Sequence, residues 1–158
     1  MTGGRPLRLI WLQSGGCGGC TMSLLGQQGP DLVAALRAAR VEVLWHPSLS
    51  EATGVEAREI LNAAARGDEP VDIFCLEGSV IHGPNGTGGF HIMAGTGRPM
   101  REMIEGIARH AAHVVAVGSC AAYGGITMGG GNAVEAGGLA YDGTAPGGLL
   151  GAGFRGRA

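Results

Sequence analysis

Four short apolar runs alternate with helix-like segments along most of the chain, and this alternation constrains the fold more than any other feature. The runs have strand length and are rich in β-branched or aromatic residues: Leu7–Leu12, Val41–Trp45, Val71–Leu76 and Val114–Val117. Three of them are almost wholly apolar, which is typical of strands that are buried on both faces of a parallel sheet.

The segments between these runs carry apolar residues at helical spacing. One helix is predicted over Asp31–Arg40, a second contains Thr53 and Glu56 at capping-box spacing, and a third follows Pro99, which suits a first-turn position. The apolar faces consist of Leu32, Leu36 and Ala39, then Ala57, Ile60, Leu61 and Ala64, then Met100, Met103, Ile104 and Ile107. Alternating strands and helices predict an α/β fold, an open parallel sheet with helices on both faces.

The pattern stops after Val117. From Gly118 to Ala158 there are 14 glycines among 41 residues, and no further helix or strand is indicated. Such a long irregular end is unusual in a compact domain. We therefore expect a domain over residues 1–128 and a Gly-rich irregular tail over 129–158, which either wraps onto a partner or is cut short.

Charge and hydropathy exclude several function classes. Hydrophobic residues make up 45% of the 158, charged residues only 15%, and the eleven basic residues are scattered arginines, which argues against a nucleic-acid surface. The longest uncharged stretch, His110 to Val134, contains six glycines and does not resemble a membrane anchor. The N-terminus lacks a basic region followed by a long apolar one, so we expect a cytoplasmic protein.

Three of the four cysteines follow predicted strands. Ligands of open parallel sheets bind beyond the carboxyl ends of the strands. The first strand leads into Cys17 and Cys20, the third into Glu77, and the fourth into Cys120. The sequence therefore places three thiols on one rim of the sheet.

The Cys-x-x-Cys pair could serve several chemistries. Two thiolates in a tight glycine loop can bind one metal centre, and the N-terminus of a following helix would favour the thiolate form. Spacing alone leaves a redox dithiol, a zinc site and an iron–sulfur site comparable, with buried inert thiols as the plain alternative. Cys120 shifts the balance toward a metal centre, because a dithiol needs only Cys17 and Cys20.

Other polar residues are weaker candidates. Cys75 lies inside an apolar run and is interpreted as structural. Glu77, at a strand end, could be a proton carrier, an interface residue or a cap. His46 follows the second strand and is a second-tier candidate, whereas His110 and His113 suit the end of a helix.

Several motifs together resemble the small subunit of nickel–iron hydrogenases. They are LIWLQSGGCGGCTMSLL, VLWHPSLSEATG, LEGSVIHGPNGTG, AGTGRPM and VAVGSCAAYGGIT, and the resemblance covers about residues 8–155. The variants LQSGGCGGCTMSLL, AGTGRPM and YDGTAPGGLLGAGFR are most similar to the cytoplasmic, hydrogen-sensing (regulatory) type.

The resemblance implies a flavodoxin-like domain that holds the proximal 4Fe–4S cluster next to a large subunit carrying the nickel–iron centre. Cys17 and Cys20 match the family's Cys-x-x-Cys pair, Cys120 matches the later Gly-x-Cys ligand, and Glu77 matches a glutamate at the subunit interface. The implied role is electron transfer for hydrogen sensing or uptake. Because hydrogen is split on the large subunit, no catalytic residue is assigned here.

The chain also departs from that family. Family small subunits are longer, and their fourth proximal ligand lies beyond the point where this sequence stops, so we expect a fragment with three of four thiolates. The alternative from another class is a thiol–disulfide oxidoreductase using Cys17 and Cys20. A flavin module and a zinc knuckle fit less well, because the glycine loop offers few hydroxyls and a second Cys-x-x-Cys is missing.

Overall fold

The four predicted strands form one parallel sheet in the computed structural model, which describes residues 4–151. Its strands are β1 (Leu7–Gln13), β2 (Val41–Trp45), β3 (Ile73–Glu77) and β5 (His113–Val117), and the short β4 (Val80–Ile81) lies outside it. The strand order is β2-β1-β3-β5. The α/β prediction is confirmed, although β3 begins and ends later than the apolar run indicated.

Helices cover both faces of the sheet. They are α1 (Gly19–Leu25), α2 (Leu32–Ala38), α3 (Gly54–Arg66), α4 (Met100–His110) and α5 (Gly118–Tyr123). A 3₁₀ turn follows at Gly125–Met128, and then the short α6 (Gly129–Asn132), in which Gly130 and Gly131 have left-handed φ values. Within residues 4–151, none of these helices is long and apolar enough to span a membrane.

The main core lies between the sheet and the pair α3 and α4. Ile10, Phe74 and Leu76 on the sheet pack against Leu61 and the α4 face, and the three sheet residues are almost completely buried. Each such side chain stabilises the fold by about 1.5–3 kcal/mol relative to an exposed one. The residues of α3 and α4 that face the sheet are among those whose apolar spacing predicted these two helices.

A smaller cluster lies on the opposite face. Leu9, Trp11 and Cys75 are buried there, with Leu24 of α1 and Leu36 of α2 packed against them. Cys75 therefore occupies a structural position in the core. The flavodoxin-like arrangement of helices on both faces follows from these two clusters.

All three predicted helix starts differ from the expected ones. Asp31 precedes α2, and its side chain accepts a hydrogen bond from the backbone N–H of Ala34 at 2.8 Å. Thr53 occupies the N-cap position of α3 but makes no side-chain capping bond, so the predicted capping box with Glu56 is wrong. Pro99 precedes α4 rather than lying in its first turn.

The expectation of no further helix or strand after Val117 is also wrong. Besides α5 and α6, the strands β6 (Ala136–Gly137), β7 (Tyr141–Asp142) and β8 (Ala145–Pro146) follow. β6 pairs antiparallel with β4, and Leu139 is buried in the main core. These elements are two to six residues long and rich in glycine, so they carry no periodic signal. The division into residues 1–128 and 129–158 stays a prediction, and residues 152–158 lie outside the described part.

Candidate metal centre at the sheet rim

Three strands end at the same level of the sheet. Gln13, the last residue of β1, pairs with Glu77, the last residue of β3, and Glu77 pairs with Val117, the last residue of β5. The chain order reverses between β1 and β3, because β2 lies on one side of β1 and β3 on the other. Ligands of doubly wound folds bind at this kind of position.

The loops that follow β1 and β3 are clamped together. Ser14 donates its N–H to the Glu77 carbonyl at 2.8 Å, and Gly15 and Ser79 exchange backbone hydrogen bonds of 3.0 and 2.6 Å. Gly78 has φ +88°, and a Cβ there would lie 2.9 Å from the Ser14 and Gly15 backbones. Only glycine permits this close approach of the two loops.

Cys17 and Cys20 lie on the loop and first turn that follow β1. Cys17 is exposed and Cys20 is half-buried in α1, while Gly18 between them has φ +72° and reverses the chain into the helix. A Cβ at Gly19 would lie 3.2 Å from the Sγ of Cys17. The glycines therefore leave room around the sulfurs.

Cys120 reaches the same rim from β5. It lies in α5, is half-buried, and follows Gly118, whose φ is +80°. A side chain at Gly118 would overlap the Sγ of Cys20, and a Cβ at Gly125 would lie 2.7 Å from the Sγ of Cys120. The turn between β5 and α5 therefore passes beside the sulfur of Cys20.

The donor set fits part of an iron–sulfur cluster site. Three free thiols share the rim, and each sulfur lies where a neighbouring glycine has no side chain. Thiolates are the ligands that such clusters use, normally four of them. The fourth cysteine, Cys75, is buried in the sheet, and burial raises its pKa to about 11, so it does not complete the set.

The same geometry does not suit a single metal ion. Within residues 4–151, no group of three His, Cys, Asp or Glu side chains is arranged to hold one ion. The ligands of a cluster bind different iron atoms, so they can stand farther apart than the ligands of one zinc ion. The arrangement therefore favours a cluster over a zinc knuckle.

The protonation of Cys20 differs from the expectation. Burial, followed by the charges of Glu77 and the other two rim thiols, raises its pKa above the ordinary value. Burial and these charges act against the thiolate form that the N-terminus of α1 is expected to favour. A metal that binds Cys20 must therefore displace a proton.

Glu77 lies under the cysteine loop in a cage of donors. Its Oε2 accepts from Trp11 Nε1 at 3.0 Å, from Gln13 Nε2 at 3.1 Å and from the hydroxyl of Thr21. Its Oε1 accepts from the backbone N–H of Thr21 at 3.0 Å. The residue is 3% exposed, so it presents almost no surface to a partner.

These donors decide the charge of Glu77. Burial alone would raise its pKa, but the hydrogen bonds from Thr21, Gln13 and Trp11 outweigh burial and hold the pKa below its usual value. None of the salt bridges in the described residues includes Glu77. Glu77 is thus a buried carboxylate that neutral donors stabilise.

His46 joins this network from the end of β2. The imidazole is 1% exposed, lies 5.1 Å from the Trp11 indole between ring centroids, and accepts the backbone N–H of Ser48 at Nδ1. Its Nε2 is buried and has no hydrogen-bond partner among the described residues. Burial lowers the pKa of His46 although the charge of Glu77 opposes this. The ring therefore lies beneath the rim rather than on it.

Sequence reasoning did not identify Trp11 and Thr21 as site residues. One signal was available: Trp11 and Gln13 are two residues apart on β1 and so share a face. The contact of Thr21 with Glu77 carries no such signal, because it depends on how α1 folds back across the rim.

Three exposed apolar side chains follow the rim cysteines closely in sequence. Met22 on α1 and Ile126 in the 3₁₀ turn are each 72% exposed, and Tyr123 at the end of α5 is about half exposed. We call Met22, Tyr123 and Ile126 the rim patch. Clustered exposed apolar residues usually mark a protein–protein contact.

Comparison with known proteins identifies relatives over most of the chain. The family described as "NADH ubiquinone oxidoreductase, 20 Kd subunit" matches residues 17–148. The F420 non-reducing hydrogenase I small subunit of Methanosarcina mazei is 31% identical over 76% of this chain and 33% of its own length. The Hydrogenase-2 small chain of Escherichia coli is 32% identical over 78% of this chain and 32% of its own length.

The fold comparison gives a similar result. The solved structure of the recombinant NiFeSe hydrogenase from Desulfovibrio vulgaris Hildenborough aligns with a TM-score of 0.72 and 30% identity, over 87% of this chain and 48% of that chain. This chain spans about a third of the length of the curated relatives that it matches.

Proposed function

The chain belongs to the family of the 20 kDa subunit of NADH ubiquinone oxidoreductase, and on that premise we propose that it is the cluster-binding part of a nickel–iron hydrogenase small subunit. In this proposal Cys17, Cys20 and Cys120 supply three ligands of the proximal 4Fe–4S cluster. The observation that carries it is the meeting of three free, glycine-flanked thiols on one rim. The relatives described above, which are hydrogenase small subunits, support it.

The role of the chain would be to hold and insulate an electron carrier. A bound cluster supplies one-electron transfer, at a potential set by its charge, its hydrogen bonds and its exposure to solvent. The three cysteines hold the iron, while the clamp between Gly15 and Ser79 fixes the first loop. Hydrogen is split on the partner, so no residue here breaks that bond.

The proposed partner is a large subunit that carries the nickel–iron centre. The rim patch supports this, since Met22 and Ile126 would stay in water if the chain were alone. An interface centred there would place the cysteines beside the partner. Obligate interfaces of this kind bury upwards of ~2,000 Å².

The subtype and the location belong to the same proposal. We assign the chain to the cytoplasmic, hydrogen-sensing type because the LQSGGCGGCTMSLL and AGTGRPM segments resemble that type. An uptake role remains the competing assignment. Localising the tagged protein in fractionated cells tests the compartment, and a hydrogen-dependent change in gene expression tests sensing.

The thiol–disulfide alternative finds no support. The relatives described above are hydrogenase subunits.

The proposed function is tested by producing the chain anaerobically together with a nickel–iron large subunit, with 2-mercaptoethanol as an external fourth thiolate. We expect the two to co-purify as a brown complex that contains acid-labile sulfide and reduces a viologen dye with hydrogen. A colourless complex without acid-labile sulfide would contradict the proposal.

A further inference from the structure

We propose that Glu77 is a fixed anionic anchor that positions the Cys17–Cys20 loop and lowers the reduction potential of the cluster bound there, and that it does not carry protons. This inference rests on the proposed function. The carboxylate joins three elements. It lies at the end of β3, two of its donors are Trp11 and Gln13 on β1, and the other two are the backbone N–H and the hydroxyl of Thr21 on α1.

The positioning acts through Thr21, the residue after Cys20. Both the backbone N–H and the hydroxyl of Thr21 donate to Glu77, so the first turn of α1 is bound at two points. Thr21 is 2% exposed and the carboxylate is 3% exposed, which means that water does not compete for these bonds. Moving Cys20 would therefore break buried, charge-assisted hydrogen bonds.

The donors around Glu77 favour its charged form. An indole N–H and a backbone N–H can only donate. The hydroxyl of Thr21 accepts from Gln13 Nε2 at 3.2 Å and donates to Oε2 of Glu77. A proton carrier must alternate between charged and neutral forms, and protonation of Glu77 would weaken the hydrogen bonds from these donors. The lowered pKa agrees with a permanent carboxylate.

The charge acts on the cluster ligands from close range. Glu77 accepts the backbone N–H of Thr21, the residue after Cys20, at 3.0 Å, and none of the salt bridges among the described residues includes Glu77. The other titratable neighbour, His46, is held neutral by burial. Reduction adds negative charge to a cluster, so an uncompensated anion nearby disfavours the reduced form.

Trp11 connects Glu77 to the smaller core cluster of Leu9, Trp11 and Cys75. Its indole ring packs against His46, and its N–H holds Oε2 of Glu77. This donor withdraws part of the carboxylate's charge. Removing it, as in Trp11→Phe, would leave the anion less shielded while keeping the aromatic packing.

The test is a redox titration of the complex with the large subunit, monitored by the electron paramagnetic resonance of the reduced cluster. For Glu77→Gln we expect iron content close to wild type and a shift of the midpoint potential to a more positive value. For Trp11→Phe we expect a shift in the opposite direction. The pH profile of hydrogen-driven viologen reduction should keep its shape in both variants.

Each outcome separates the inference from the proposed function. A wild-type complex without acid-labile sulfide contradicts the proposed function. If the wild-type complex contains acid-labile sulfide and Glu77→Gln leaves the midpoint potential unchanged or abolishes the pH dependence of turnover, only the anchor is overturned. If Glu77→Gln does not assemble, Trp11→Phe and the charge-preserving Glu77→Asp decide. A midpoint potential equal to wild type in Trp11→Phe would overturn the anchor. So would a positive shift in Glu77→Asp as large as loss of the charge would cause.

Discussion

Thr21 donates its backbone N–H to Oε1 of Glu77 at 3.0 Å, although 56 positions separate the two residues in sequence. The contact joins the end of β3 to the first turn of α1. Because Cys20 directly precedes Thr21, the same bond fixes where the thiol of Cys20 lies on the rim.

The hydroxyl of Thr21 should contribute measurably to stability. Thr21→Val keeps the shape and the backbone donor but removes one buried hydrogen bond to a carboxylate, so we expect a loss of about 1–3 kcal/mol in the free energy of unfolding. Urea denaturation of the 158-residue chain followed by circular dichroism measures it. Thr144→Val, at an exposed position, is the matched control and should change little. Equal midpoints for both variants would contradict the buried bond.

Gly118 should be essential for cluster assembly. Gly118→Ala places a methyl group against the Sγ of Cys20 and forces a residue with φ +80° to carry a side chain. We expect most of the iron to be lost after anaerobic reconstitution. Gly129→Ala is the control, since position 129 has open space and an ordinary φ. Full iron content in the Gly118 variant would show that the two sulfurs are not held as described.

Stability should fall as the pH is lowered through the range in which histidine titrates. Burial lowers the folded-state pKa of His46 below its ordinary 6.5, so the unfolded chain takes up a proton first. The stabilising contribution is therefore complete above about pH 6.5 and is lost as the pH falls toward the folded-state pKa. Urea midpoints at about pH 7.5 and about pH 5.5 measure the loss.

A substitution identifies the histidine that is responsible for the loss of stability at low pH. His46→Gln should reduce the difference between the two midpoints, whereas His113→Gln, at an exposed strand position, should leave it unchanged. His82 and His91, whose pKa values burial also lowers, would account for what remains. An unchanged difference in the His46 variant would assign the effect to those two residues instead.

The rim patch should govern association with the large subunit. Ile126→Glu puts a charge on an apolar side chain that is largely exposed, so we expect it to reduce co-purification at least tenfold while leaving thermal unfolding unchanged. Leu7→Glu, at the opposite end of β1, is the control. Undiminished co-purification of the Ile126 variant would place the interface elsewhere.

Much of the fold could be predicted because periodic burial leaves a signal in sequence. Residues such as Ile10 and Phe74 lie in buried strands. Leu61 in α3 and Ile104 in α4 each belong to an apolar face whose residues recur at helical spacing. The elements after Val117 could not be predicted, because they are short, rich in glycine and stabilised by contacts such as the pairing of β4 with β6.

The rim cysteines were predictable for a different reason. Strand ends can be read from the apolar runs, and parallel strands bring their carboxyl ends to one edge. The charge state of Cys20 and the donors around Glu77 could not be predicted in this way. They depend on side chains that meet across α1, β1 and β3, and on burial that only the folded chain creates.

The most direct test of the central claim is the iron content of cysteine variants. The chain is reconstituted anaerobically with iron and sulfide, with 2-mercaptoethanol as an external fourth thiolate, and iron per chain is measured with the resonance spectrum of the reduced cluster. We predict that Cys17→Ser, Cys20→Ser and Cys120→Ser each lose most of the iron, while Cys75→Ala keeps the wild-type content and spectrum. Wild-type iron and spectrum in Cys120→Ser would contradict the claim that the three rim thiols share one cluster.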